Sequence, residues 1–200
     1  MHHSHNLNSK LIAITGGIGA GKSVVSSILT TMGYNVYDCD SRAKQMMNHS
    51  PVIKEKLMSR FGEEVYNTNG HLNKELLSSI IFNNTDALAC VNSIVHPVVK
   101  EDISNWHKSM MCRVNFVETA ILTESGMHTM VDEVWNVTAP IDTRVKRVMM
   151  RNHTTAEKVV ERINSQSTSL EIVTTPIKTI VNDGINAVLP QVINLLSNLQ

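Results

Sequence analysis

Residues Gly16 to Ser23 read Gly-Gly-Ile-Gly-Ala-Gly-Lys-Ser, the spacing G-x-x-x-x-G-K-[ST], directly after the apolar run Leu11 to Ile14. A buried strand, a glycine-rich turn and a helix start in that order form a phosphate cradle. Glycines at 16, 17, 19 and 21 allow successive backbone N–H groups to turn inward. The following helix adds the partial positive charge of its N-terminus. Lys22 can reach β- and γ-phosphate oxygens, and the Ser23 hydroxyl can ligate Mg²⁺. Gly17, Gly19, Ala20, Gly21, Lys22, Ser23 and Val24 are therefore expected to surround a bound nucleoside triphosphate. The cradle specifies a nucleoside triphosphate, not a reaction.

The pattern around the cradle predicts an α/β fold. Lys10 to Thr15 reads as a buried parallel strand. Lys22 to Met32 has helical spacing and stops at Gly33. A second strand at Asn35 to Tyr37 runs into Asp38-Cys39-Asp40, read as extended. From Ser41 to about Met111 the pattern is helical: Pro51 to Phe61, Leu72 to Phe82, and Thr85 to Met110 with an interruption at His96-Pro97. Strand character returns at Val114 to Glu118, Glu133 to Thr138 and Lys178 to Val181. Helices are predicted at Asp142 to Arg151, Thr154 to Ser165 and Gly184 to Leu199. Strands separated by helices imply right-handed crossovers and a P-loop NTPase-type parallel sheet of about five strands, with ligands beyond the strands' carboxyl ends.

Two hundred residues suit one core with small insertions, and zero formal net charge supplies no global field for nucleic acid. The three cysteines, at 39, 90 and 112, form no CxxC, which reads as a reduced, cytoplasmic chain. No apolar run reaches membrane-spanning length. Residues 1–9, with His2, His3 and His5, read as a flexible leader.

Carboxylates and arginines supply the remaining chemistry. A kinase needs a group that accepts or orients the proton of the attacking hydroxyl. In an extended stretch Asp38 and Asp40 point the same way, with Cys39 pointing opposite. Asp40 is the candidate base, while one of the pair can instead cap the helix near Ser41. Glu118 ends an apolar strand, where it can hold Mg²⁺ through water or stand as an ordinary strand-end residue. Glu124 either contacts substrate or caps a helix, and His96 either contacts substrate or satisfies backbone at a helix break. Arg144, Arg147 and Arg151 share one helix face, with Arg162 one helix later. Guanidinium forks on a mobile hairpin neutralise a transferring phosphoryl group, and closure excludes water. The alternative for each is a solvated helix face.

Several motifs together resemble the dephospho-CoA kinase family: Thr15 to Ser23, Asp38-Cys39-Asp40 with Ser41-Arg42-Ala43, Arg60-Phe61-Gly62, and Gly70 to Lys74. They continue with His96-Pro97, Glu124-Ser125-Gly126, Arg147-x-x-x-Arg151, Arg162-x-x-x-Gln166 and Ile180 to Gly184. The resemblance spans roughly residues 10 to 198, in order. It implies ATP-dependent phosphorylation of the 3′-hydroxyl of dephospho-CoA, with Mg²⁺ accompanying the ATP and Asp40 as base. Lys22, Arg147 and Arg151 would assist transfer, and Asn182 would join the ATP site. Arg42, Lys74, His96, Glu124 and Arg162 would contact the acceptor. It divides the chain into a core (10–42, 112–141, 171–200), a helical acceptor-binding insertion (about 43–111) and a lid (about 142–170). ATP and dephospho-CoA are the expected partners, with neither nucleic acid nor membrane, for a monomer or weak homo-oligomer. Val24 stands where the family usually has threonine. Lys74 and Lys100 replace common arginines, and Glu118 to Thr123 depart from D-x-P-L-L-F. The nearest rival is a kinase of another small acceptor. A GTPase-type switch would need N-K-x-D, which the sequence lacks.

Overall fold

The computed structural model describes residues 9–82, 84–166 and 169–199. The leader reading for residues 1–8 lies outside them. Contacts divide the chain into two compact units, one running to Asp38 and resuming at Met110, the other Cys39–Ser109.

The first unit is built on five strands: β1 (Lys10–Thr15), β2 (Val36–Asp38), β3 (Val114–Glu118), β4 (Glu133–Thr138) and β5 (Ile177–Val181). All pairings are parallel, in the order β2-β3-β1-β4-β5. β1 is central because its residues Leu11 to Thr15 are all buried. A strand covered on both faces has no use for alternation, and its run of aliphatic side chains is the sequence trace of that position. Ile12, Ile14, Phe116, Trp135, Val137 and Ile180 meet in the core. Helix α1 (Lys22–Thr31) adds Val25 and Leu29 to it, and α8 (Val188–Ser197) adds Val192 and Leu196. Phe116 lies between Tyr34 and Trp135, with ring centroids at 5.6 and 5.1 Å. Helices α6 (Ile141–Asn152) and α7 (Ala156–Ser165) bridge β4 and β5.

The final helix starts four residues later than Gly184. Asp183 Oδ1 accepts the N–H groups of Ile185 and Asn186, both at 2.8 Å, and this turn occupies the segment first. Pro190 is then the third residue of α8, where no intrahelical N–H is needed.

The second unit contains α2 (Cys39–His49), α3 (Pro51–Phe61), α4 (Lys74–Ile81) and α5 (Thr85–Ser109). Ser50 caps α3 by accepting from the Ile53 N–H, and Asn73 caps α4 by accepting from Leu76 N–H. The expected break at His96-Pro97 is absent: α5 is one 25-residue helix with Pro97 inside it. Val91, Val95, Val99 and Ile103 form a buried i, i+4 stripe that continues past the proline. Packing on both sides holds the helix, while Pro97 and Ser93, whose carbonyl loses its i+4 N–H donor to the proline, lie on the exposed side.

The extended reading of Asp38 to Asp40 is also corrected. β2 ends at Asp38 and α2 begins at Cys39, so Asp40 is in the first turn of a helix. A helical start rotates successive side chains by about 100°. The two acids therefore do not share an extended strip.

Candidate functional site

The carboxyl ends of β1, β2 and β3 place the phosphate loop beside two acids. Asp38 pairs in register with Glu118, and Glu118 with Ile14, one residue short of the strand end. The loop's shape depends on glycine at two points in particular. Gly16 has φ 142°, and a Cβ there would strike the Val137 carbonyl oxygen. Gly21, the N-cap of α1, has φ 97°, and a Cβ there would strike the Asn182 amide. Other side chains would have to move the sheet or the loop.

Basic groups gather at this loop from two elements, α1 and α6. Lys22 Nζ donates to Gly16 O at 3.0 Å, folding back over the cradle. From α6, Arg144 Nε donates to Ile18 O at 2.8 Å. Burial lowers the Arg144 pKa, yet a guanidinium stays charged at neutral pH. Arg147 makes a two-pronged contact with Asn182: to the carbonyl oxygen at 2.9 Å and to Oδ1 at 3.2 Å. Asn182, just past β5, donates its Nδ2 to Ala20 O at 2.9 Å. The side chain is nearly buried, so each amide atom has its partner. Asn182 thus joins α6 to the cradle.

Two contacts were not singled out from sequence. Gln166 Oε1 accepts the Ile18 N–H at 2.7 Å, and its Nε2 donates to Ala120 O at 2.9 Å. Both polar groups of the Ile18 residue are therefore held, one by Gln166 and one by Arg144. The R-x-x-x-Q spacing was the available signal. Ser26 Oγ donates to Glu118 Oε2 at 2.6 Å, so the strand-end carboxylate is oriented by the helix that follows the cradle. Nothing in the pattern of α1 distinguishes Ser26 from Ser27.

The expected residues do not all converge. Lys22, Arg147 and Asn182 meet at the loop, and Ser23 and Val24 lie exposed at the start of α1. Arg151 is exposed and bonds Asn152, and Arg162 is exposed on α7. Glu124 is exposed in the turn after β3, whereas its neighbour Ser125 is buried and donates to Ile121 O at 2.7 Å. In the second unit, Arg42 forms an ion pair with Asp102 at 2.7 Å and bonds Gln45 at 3.2 Å. Lys74 is the exposed first residue of α4. His96 is half-buried, and burial, then the Lys100 charge, lower its pKa, favouring the neutral ring.

A parallel β2-β3-β1-β4-β5 sheet, a phosphate loop after its central strand and an arginine-bearing helix docked on that loop define a P-loop kinase. A family profile described as dephospho-CoA kinase matches residues 10–187. The chain belongs to the dephospho-CoA kinase family. It is 39% identical over 190 residues to dephospho-CoA kinase of Porphyromonas gingivalis, covering 94% of each chain. It is 40% identical over 189 residues to that of Bacteroides fragilis, covering 94% of this chain and 92% of the relative. Among solved structures, a Thermus thermophilus protein superposes with TM-score 0.81 at 28% identity, over 96% of this chain and 99% of that one. Dephospho-CoA kinase from Campylobacter jejuni (TM-score 0.68, 21% identity, 94% and 96% covered) shares the fold.

Proposed function

We propose that the chain transfers the γ-phosphoryl group of ATP to the 3′-hydroxyl of dephospho-CoA, giving coenzyme A and ADP, the last step of coenzyme A synthesis. The observation that carries this reading is the cradle itself: Lys22, Arg144 and Arg147 gather at one glycine loop, tied to β5 by Asn182.

The phosphates of ATP lie along the inward N–H groups of residues 17–24 and the start of α1. Lys22 exchanges its bond to Gly16 O for a phosphate oxygen. Arg147 and Arg151 meet the equatorial oxygens of the transferring group as the α6–α7 lid closes, and water is excluded. Asp40, heading α2, accepts the proton of the acceptor hydroxyl. Arg42, Lys74, His96, Glu124 and Arg162 hold the acceptor. The domain plan is a core of 10–42, 112–141 and 171–200, an acceptor-binding insertion of about 43–111 and a lid of about 142–170.

The donor set suits Mg²⁺: the Ser23 hydroxyl and the Glu118 carboxylate are hard oxygen ligands. Among the described residues no cluster of three His, Cys, Asp or Glu could cage a metal alone, which fits a cation carried in on the nucleotide. When bound, Mg²⁺ neutralises phosphate charge. Ser23 would ligate it, and Glu118, held by Ser26, would hold one of its waters. Three free thiols favour a reducing, cytoplasmic compartment. Among the described residues no helix is long and apolar enough to cross a membrane. The chain acts as a monomer or weak homo-oligomer.

A coupled assay of ADP release across acceptors tests the reading. Release should depend on dephospho-CoA, with the new phosphate at the 3′ position by mass spectrometry and ³¹P NMR. Faster turnover of a nucleoside monophosphate or a sugar-like acceptor would overturn it.

A further inference from the structure

Helices α1 and α8 of the first unit pack side by side on the sheet. Charged residues make up 18% of the chain, yet residues 24–37 and 184–200 contain no Asp, Glu, Lys, Arg or His. A solvated helix ordinarily carries charge on its outer face. This pair carries none between Lys22 and Asp38, nor after Asp183.

The outer side of the pair also exposes apolar surface. In α8, Val192 and Leu196 are buried, and Val188, Leu195 and Leu199 pack on the core. Leu189 and Ile193, one turn apart, are 49% and 46% exposed. Helix geometry places them on the flank turned toward α1. Ser26, on one flank of α1, bonds Glu118 of β3. α8 follows β5, at the other side of β1, so it meets the opposite flank, that of Val24, Ile28 and Thr31. Both helices run back against parallel strands. At about 100° per residue, the side of α8 facing α1 is then the one carrying Leu189 and Ile193. The two helices thus form an apolar seam floored by half-buried Ile28 and edged by exposed Ser27, Thr31, Asn194 and Ser197.

The chemistry of the seam selects its occupant. A helix that lies on a lipid surface carries Lys or Arg beside its apolar stripe, and a foreign protein is selected by complementary charge. This face offers neither. Amides and hydroxyls both donate and accept, so a rim of Asn, Ser and Thr pairs with a copy of itself. An uncharged face also meets its own copy without like-charge repulsion, as a two-fold contact requires. We propose that the α1–α8 seam is the contact face for a second copy of this chain, with Ile193 nearest the two-fold axis. Ten-residue helices about 15 Å long and 8–10 Å apart offer roughly 300–500 Å² per copy, less than the ~800 Å² of a standard interface. The dimer is therefore weak and forms at high concentration. The proposal does not depend on the acceptor: loss of the dephospho-CoA reading would leave it standing.

Sedimentation velocity of the full chain from about 5 µM to about 1 mM brackets the affinity expected of so small a contact. The wild-type sedimentation coefficient should rise across that range, and equally in ~0.5 M NaCl, because no ion pair holds the contact. Ile193→Lys brings like charges together at the axis and should weaken association at least roughly 10-fold. Its circular dichroism and Tm should match the wild type, since the side chain is half exposed. Mixing Ile193→Lys with Ile193→Glu should restore association, now weakened by salt. A wild type that stays monomeric throughout, or that pellets with phosphatidylcholine vesicles, overturns the proposal. So does a folded Ile193→Lys that associates like the wild type, or a mixture that stays monomeric.

Discussion

Gln166 and Ile18 are 148 residues apart in sequence and joined by a 2.7 Å hydrogen bond from the Ile18 N–H to the Gln166 side-chain oxygen. The Gln166 side-chain amide also donates to Ala120 O, so the residue just past α7 bridges the phosphate loop and the strand-end loop after β3. Gln166→Ala removes both bonds and leaves the part-buried Ile18 N–H without its acceptor. Amide exchange of residues 16–23 should accelerate in deuterium-exchange mass spectrometry, and kcat/KM should fall roughly 10-fold, about one ordinary hydrogen bond. Gln166→Glu keeps the acceptor but loses the donor, and it should lie between. Unchanged exchange in Gln166→Ala would mean the bridge does not govern the loop.

Asn182 has a different signature. Its side chain satisfies Ala20 O and one arm of Arg147. Asn182→Ala should cost about 1–3 kcal/mol of stability, because a buried carbonyl loses its donor. The KM for ATP should also rise, since Arg147 loses an anchor. Denaturant unfolding and steady-state kinetics check the two effects separately; a stability loss with unaltered ATP kinetics would confine Asn182 to structure.

For Asp40→Asn, kcat should drop at least ~10²-fold, the usual contribution of a general base. Nucleotide affinity, measured by calorimetry, should survive. Near-wild-type turnover would remove Asp40 from the role of base.

Ser26→Ala leaves Glu118 without the 2.6 Å donor that orients it. The Mg²⁺ concentration giving half-maximal rate should increase by roughly 10-fold, as when the partner of a metal-associated carboxylate is lost. A Mg²⁺ titration that overlays the wild type would detach Glu118 from the metal.

Val24 is 45% exposed at the start of α1, so a change there does not disturb the core. Val24→Thr restores a hydroxyl where the family usually has one. The KM for ATP should decrease by roughly 2- to 10-fold, one neutral hydrogen bond; an unchanged KM would show that the position does not meet the nucleotide.

Much of this protein was legible in order along the chain. The cradle is a local motif: its glycines, lysine and serine act within eight consecutive residues, flanked by a buried strand and an amphipathic helix. β1, β3 and β4 were readable to the residue: β1 as the unbroken apolar run Leu11 to Ile14, and β3 and β4 as short stretches rich in β-branched and aromatic residues. Where local rules failed, packing had decided. Pro97 stays inside α5 because the Val91 to Ile103 stripe is buried on both sides of it. Asp40 is helical because α2 starts at the residue after β2.

By itself the sequence determined a triphosphate loop, a parallel sheet and a group of arginines that could serve it. The tertiary structure decided which of those side chains meet. Arg144 and Arg147 reach the loop and bond it and Asn182, while Arg151, on the same helix face, bonds its neighbour Asn152. Ser26 gained a role that no local pattern announced, and Gln166 gained partners that its R-x-x-x-Q spacing did not name. A motif encodes interactions between residues close in the chain. Hydrogen bonds spanning 92 to 162 residues, such as Ser26 to Glu118 and Asn182 to Ala20, exist only after the sheet order has brought their elements together.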